Sequence, residues 1–143
     1  MIRISTLEDV PSIKKIADAN KDTLGFVLSS ALAGNIAHGW GLVQVCVECE
    51  PHKVVAFVNY RHRKDSQTTV YEICVAEDHR QRGVGRILLD ALVEEAKERG
   101  KSFIQLKAIS TIDANGFYLH YGFRLVGKES GRKQPLFVWR FTW

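Results

Sequence analysis

Between a β-branched run, Thr68 to Val75, and an apolar-periodic run, Arg86 to Arg99, the chain reads His79-Arg80-Gln81-Arg82-Gly83-Val84-Gly85-Arg86. Glycines at 83 and 85 let the backbone take up positive φ and come close to a ligand. The first amides of a following helix lack helical acceptors, so they can hold an anion. Arg82 and Arg86 fall at the positive end of that helix dipole, where cations are mildly unfavourable. A polyanion bound there would reverse the sign of the site. Two other phosphate loops do not fit. A dinucleotide fingerprint needs a third glycine where Leu88 stands, and a Walker loop needs Gly-Lys-Ser/Thr after a longer loop. On the loop alone, a strand-to-helix turn with solvated arginines stays open.

Metal chemistry finds less support in the spacing. Cys46-Val47-Glu48-Cys49 has the spacing of half a zinc site, but no second Cys or His pair follows at ligand distance. His38, His52, His62, His79 and His120 have no metal spacing, so no metal is expected. Cys46, Cys49 and Cys74 lie in strand-like runs, where a free cysteine acts as a small buried hydrophobe.

The elements that must hold the loop follow from periodicity. Ile2 to Ile4 reads as a short strand. Thr6 can cap a helix whose first turn holds Glu8 and Asp9 and whose apolar face is Val10, Ile13, Ile16 and Ala17. A second helix is expected over Phe26 to Ala37. Leu42 to Glu48 and Val54 to Arg61 read as a hairpin, and Thr68 to Val75 adds a third antiparallel strand. Arg86 to Arg99 is the clearest helix, stopped by Gly100. Phe103 to Ala108 is a strand parallel to Thr68 to Val75, reached by a helical crossover. A short helix over Asp113 to Tyr121 closes at Gly122. Arg124 to Lys128 and Leu136 to Phe141 complete a seven-stranded, mixed sheet with about four helices, an α/β (α+β) architecture.

Length and composition narrow the function classes. The chain has 143 residues, 45% hydrophobic and 25% charged, which suits a single domain over 1–143 with an ordinary core. No apolar run nears the roughly 20 residues of a bilayer span. The N-terminus lacks the pattern of a secretory signal, so a cytoplasmic location and no membrane partner are expected. The net charge of +4 favours an anionic ligand or partner. Its basic residues fall in turns rather than in a stripe with stacking aromatics, so nucleic acid is the least supported partner.

In this setting the chain resembles the GNAT superfamily of GCN5-related N-acetyltransferases. Arg80-Gln81-Arg82-Gly83-Val84-Gly85 matches the Arg/Gln-x-x-Gly-x-Gly/Ala signature, and Ile73 to His79 looks like the strand and turn before it. Ala114-Asn115-Gly116-Phe117-Tyr118, followed by Tyr121-Gly122-Phe123, resembles a second motif. Ile2-Arg3-Ile4 with Thr6-Leu7-Glu8-Asp9 is a typical start, so the resemblance spans essentially the whole chain. It implies the acyl-CoA N-acyltransferase fold and acetyl-CoA as co-substrate. Backbone groups of Ile73, Cys74 and Val75 would pair with the pantetheine arm, and amides of Arg80, Gln81, Arg82, Gly83, Val84, Gly85 and Arg86 would hold the pyrophosphate. Asn115 would lie beside the arm, although a lone asparagine there is equally a helix cap. The sheet would splay between the Thr68–Val75 and Phe103–Ala108 strands.

An amine must be neutral to attack a thioester. A lysine-type amine is neutral in only about one molecule in two thousand at pH 7, and an α-amine far more often. A proton must therefore leave with attack. The resemblance makes Tyr118 the acid for the departing thiolate and the Val75 N–H the oxyanion donor. Glu72 is the first candidate for the base, with a solvent-facing or ion-paired residue as the bland reading. Relatives that carry a glutamate on the next strand differ from this chain, which has Gln105-Leu106-Lys107 there; a water chain ending at a backbone carbonyl is the alternative route. The expected activity is acetyl transfer to a primary amine of a small molecule, a peptide N-terminus or a protein lysine. A non-catalytic acetyl-CoA sensor is the competing reading. Trp40 and Tyr60 are candidates for the acceptor side, with core packing as the plainer assignment. Trp139, Phe141 and Trp143 mark apolar surface for either the core or a homodimer contact.

Overall fold

The central strands bury side chains on both faces, without a break from Val55 to Tyr60, and this builds two cores on one sheet. A computed structural model describes residues 1–143. Its strands are β1 (Ile2–Ile4), β2 (Gly41–Cys46), β3 (Lys53–His62), β4 (Gln67–Val75), β5 (Phe103–Ile109), β6 (Arg124–Ser130) and β7 (Pro135–Thr142). They form one sheet in the order β1-β2-β3-β4-β5-β7-β6, antiparallel except where β4 meets β5. The helices are α1 (Val10–Ala19), α2 (Lys21–Leu24), α3 (Ser29–Ala37), α4 (Val84–Glu98) and α5 (Ala114–Tyr121).

On one face Val58, Val70, Ile104 and Leu106 pack with Leu88, Leu89 and Leu92 of α4 and with Tyr118 and Phe123. On the other, Val43, Val45 and Phe57 pack with Ile13, Ile16 and Ala17 of α1 and with Leu32 and Ile36 of α3. These patterns are those of central strands covered on both faces and of amphipathic helices. Tyr60 is fully buried in the first core, so it does not line an acceptor site. Trp40 packs against that core too, stacked on His38 with the Arg61 guanidinium over its ring. At the C-terminus Trp139 is buried and Phe141 packs on Tyr121 and Phe123.

The N-terminal helix begins where the capping signal places it. Asp9 accepts hydrogen bonds from the Thr6 N–H at 2.8 Å and from both Arg3 terminal nitrogens at 2.7 and 2.8 Å. The Arg3 guanidinium holds the Asp9 carboxyl below the usual carboxylate range. This fork ties β1 to the start of α1.

Two expectations are corrected. The second helix begins at Ser29 rather than Phe26: Gly25 has φ of +73°, Leu28 is extended, and Phe26 is 71% exposed. A single helical turn, α2, precedes that break, which raises the helix count to five. The cysteines also depart from the buried-hydrophobe reading. β2 ends at Cys46, and the turn after it brings Cys49 back to a Cα separation of 5.4 Å, where the two form a disulfide. Only Cys74 is a free thiol, half-buried on the α1 and α3 face.

Candidate active site

A break in the ladder makes the site. β4 and β5 pair from Gln67↔Phe103 to Val70↔Leu106 and no further. β5 continues with β7 as far as Ile109↔Leu136, while Tyr71 to Val75 keeps only β3 as a neighbour. The Ala76 N–H donates to the Val55 carbonyl at 2.8 Å. Hydrogen-bonded and non-bonded pairs alternate in an antiparallel ladder, so Val75 and Ile73 turn their N–H and C=O groups away from β3, into the gap. Cys74 and Glu72 turn theirs toward β3. The expected splay is therefore present, and it leaves both backbone groups of Ile73 and the N–H of Val75 free for an extended guest, the Val75 carbonyl being taken by Arg80.

A cavity of about 200 Å³ opens at this gap, lined by Glu72 and Ile73 of β4, Lys107 and Ala108 of β5, Leu24 of α2, and Tyr118 of α5. Glu72 and Tyr118 thus reach one space from opposite faces of the sheet. Asn59 donates to Glu72 Oε1 at 2.9 Å, and Asn35 of α3 donates to Asn59 Oδ1 at 3.0 Å. Burial raises the Glu72 carboxyl above its ordinary value, against the Asn59 hydrogen bond, which favours the ionised form. Tyr118 is 6% exposed, wedged among Phe117, Phe123 and Trp139. Burial pushes its phenol well above the ordinary tyrosine value, so it stays protonated. One slot thus holds a carboxyl able to accept a proton and a phenol that keeps its own. Lys107 is paired with Glu129 at 2.8 Å, and Gln105 accepts from Arg140. Neither β5 residue supplies a second carboxylate.

The loop after β4 is built for close approach. Gly83 has φ of +77° and Gln81 of +61°. The amides of Gln81, Arg82, Gly83, Val84, Gly85 and Arg86 make no hydrogen bond within the chain; the helical ladder opens with Ile87 N–H to the Gly83 carbonyl at 3.0 Å. A Cβ on Gly85 would stand in ordinary contact, 3.4 Å from the Phe117 ring and 3.8 Å from Val75, where α4, α5 and β4 converge. The arginines divide. Arg80 is a strut, with Nε donating to the Val75 carbonyl at 3.0 Å and Nη2 to Asn20. Arg86 lies over the Tyr121 ring at 5.4 Å. Arg82 is exposed. No acidic residue stands in the first turn of α4, which leaves the cluster of free donors uncompensated.

Asn115 is engaged at both ends. Its amide donates to the Ile109 carbonyl at 3.0 Å, and its Oδ1 accepts from the Trp139 indole at 2.9 Å. It fixes the first turn of α5, and with it Tyr118, against β5 and β7. A larger cavity, about 310 Å³ between α1 and the ends of β3 and β4, is lined by Lys15, Asn20, Lys53 and Glu77; it contains neither Glu72 nor Tyr118. Sequence reasoning missed Asn35 and Asn59. The legible signal was a lone asparagine inside the apolar run Val54-Val55-Ala56-Phe57-Val58-Asn59-Tyr60, since a buried amide demands partners.

Residues 40–125, well over half of the chain, match the family model described as an acetyltransferase (GNAT) domain. The chain belongs to the GNAT superfamily. Solved GNAT-like structures share its fold from end to end. Ard1 from Thermoplasma volcanium is 18% identical with a TM-score of 0.83, covering 99% of this chain and 96% of its own. The ribosomal-protein-alanine N-acetyltransferase from Brucella melitensis is 26% identical with a TM-score of 0.75, covering 100% and 99%. The NatC complex bound to Gag peptide and CoA contains a chain 13% identical with a TM-score of 0.87, covering 100% and 98%. No curated protein matches by sequence alone. The GNAT fold, with its splayed β4 and β5 and its donor-rich loop, is thus an acyl-CoA-dependent acetyltransferase scaffold, and no helix in it is long and apolar enough to cross a membrane.

Proposed function

We propose that this protein transfers the acetyl group of acetyl-CoA to a primary amine, and that the amine is the α-amine of a peptide N-terminus. The observation that carries the reading is the cavity at the β4–β5 gap, which Glu72 and Tyr118 both line. The residues present suit the co-substrate. Six amides from Gln81 to Arg86 have no partner within the chain at the start of α4, a donor set matched to a pyrophosphate. The unpaired N–H and C=O groups of Ile73 and the unpaired N–H of Val75 suit the amide-bearing pantetheine arm as an added half-strand. When bound, acetyl-CoA supplies a thioester carbonyl as the acyl donor.

The chain's own groups then divide the work. Glu72, held by Asn59, accepts the proton that the acceptor amine gives up. The Val75 N–H donates to the oxygen on which negative charge develops, a contact that strengthens as the charge grows. The Tyr118 hydroxyl holds the proton that the departing sulfur requires. Cys74 contributes its side chain to the opposite core face, so the arm is read by Ile73 and Val75. Asn115 acts through the position of α5.

The α-amine is favoured on two grounds. With a pKa near 7.7–8.0 it is neutral in about one molecule in ten at pH 7, so a single carboxylate of raised pKa is a sufficient base. The similar structures include a ribosomal-protein-alanine N-acetyltransferase and the peptide-bound NatC complex. The test is release of free CoA thiol from acetyl-CoA with a panel of short peptides, each offered with a free or a blocked N-terminus and with or without lysine. Turnover that needs the free N-terminus is expected. Turnover that follows lysine or small polyamines instead would move the acceptor class. Tight acetyl-CoA binding without turnover on any amine would make the chain a sensor.

A further inference from the structure

The disulfide lies beside a histidine that a structural cross-link does not need. Cys46 ends β2, Cys49 lies in the turn after it, and His79 lies in the turn Glu77–His79 between β4 and α4. The two sulfurs and a ring nitrogen of His79 lie within 4.8 Å of one another. None of the three is fully exposed, and the His79 side chain is only 14% exposed although its turn is at the surface. The Asp78 carboxylate stands 3.0 Å from His79 Nδ1. It accepts that N–H and leaves Nε2 as the nitrogen with a lone pair to offer. A histidine so oriented by a carboxylate is the arrangement found behind metal-ligating imidazoles.

We propose that Cys46, Cys49 and His79 form a Zn²⁺ site that their disulfide closes and a dithiol reductant opens. Thiolate sulfur at about 2.3 Å and imidazole nitrogen at about 2.0–2.1 Å set tetrahedral ligands roughly 3.5–3.8 Å apart, within the spread seen here. Opening the site proceeds by thiol–disulfide exchange. One thiolate of the reductant attacks a cysteine sulfur, the S–S bond breaks, and a mixed disulfide forms. The reductant's second thiolate then displaces the remaining protein sulfur. The protein disulfide gains two electrons, the reductant becomes a disulfide, and two protons move from the reductant to the freed sulfurs or solvent. Zn²⁺ binding then returns those protons to solvent as both sulfurs become thiolate ligands. Three protein ligands leave the fourth position to water. Sequence spacing could not show this, because the third ligand comes from a different turn, 30 or more residues along the chain. The occupied site would pin the end of the β2–β3 hairpin to the residue just before Arg80, the strut of the loop.

The full chain tests this directly in its two redox states, with no acetyl-CoA present. Zn²⁺ affinity is measured by competition with a chromophoric chelator, and Co²⁺ is used as a spectroscopic probe. The reduced chain is expected to bind one equivalent, with thiolate-to-cobalt charge-transfer bands and the visible bands of a tetrahedral ion. The oxidised chain is expected to bind none. His79→Ala should weaken Zn²⁺ at least tenfold and alter the visible cobalt bands. Asp78→Asn, which removes only the orienting carboxylate, should weaken it about 10–100-fold. A reduced chain that fails to compete with the chelator overturns the site, as does equal binding by the oxidised chain. A His79→Ala variant with unchanged affinity and spectrum removes the histidine. The redox comparison uses the unaltered sequence, so it holds whatever the variants do to folding.

Discussion

Replacing Asn59 by alanine isolates the group that keeps Glu72 usable as a base. Asn59 is 4% exposed and donates to the Glu72 carboxylate at 2.9 Å. A hydrogen bond to a charged group is worth about 1.5–3 kcal/mol, and one pKa unit corresponds to about 1.36 kcal/mol. Losing it removes the one contact that opposes burial, so the carboxyl rises further above its ordinary value. Asn35 loses its acceptor in the same step, and the fold weakens by about 1–3 kcal/mol. The direct assay is a pH titration of the Glu72 carboxyl carbon by NMR on glutamate-labelled protein, native and Asn59→Ala. The acidic limb of kcat at saturating peptide should move up with it, because the base must be ionised to act. A carboxyl that titrates identically in both proteins would refute the reasoning. A kcat limb that stays put while the carboxyl moves would remove Glu72 as the base.

Glu72→Gln should lower turnover yet stabilise the fold on the order of 1 kcal/mol at neutral pH. The folded carboxyl is raised, so its burial penalty is absent below the unfolded value, grows as pH rises through the raised one, and is full above it. Thermal melts of the two proteins should therefore converge below about pH 4. Tyr118→Phe should cut kcat about 100-fold or more while acetyl-CoA affinity by calorimetry changes little, since only the hydroxyl is lost; unchanged turnover would dismiss it as the acid. Gly83→Val forces a β-branched residue to φ of +77°, at a cost of about 1–3 kcal/mol. It should abolish measurable acetyl-CoA binding while circular dichroism stays native.

Much of the fold was legible because its signals are local. The continuous apolar run from Val54 to Val58 and the 3.6-residue period of Leu88, Leu89, Leu92, Val93 and Ala96 report burial residue by residue. Thr6 and Asp9 announce a helix start, and Gly100 announces an end. The Gly83 and Gly85 loop could be read because positive φ and the lack of a Cβ are properties of single residues. What escaped depends on distance in the chain. The Asn35–Asn59–Glu72 relay joins a helix and two strands, and nothing in one segment indicates the others. Cys46 and Cys49 fit a buried strand by composition, but the strand ends at Cys46 and a turn reverses the chain. Phe26 and Leu28 fall within the expected second helix, whereas Gly25 ends one turn and delays the next. Asn115 illustrates the difference between type and role: its residue type left a place beside the arm and a helix cap both open, and only its two hydrogen bonds, to β5 and β7, reveal a brace for α5.

The parting of β4 from β5 also creates an edge strand inside a sheet. Tyr71 to Val75 is central by position and peripheral by bonding, yet it is reached only through a narrow slot, so another chain's edge cannot pair with it as with an open border. Amide exchange should therefore alternate along this half-strand, fast at Ile73 and Val75 and slow at Cys74 and Glu72, whose N–H groups face β3. Saturating acetyl-CoA should erase the alternation and raise the melting temperature in proportion to the logarithm of its concentration. The same interruption that admits the acyl donor makes the unliganded sheet the softest in its own middle, and makes the donor a missing piece of the fold.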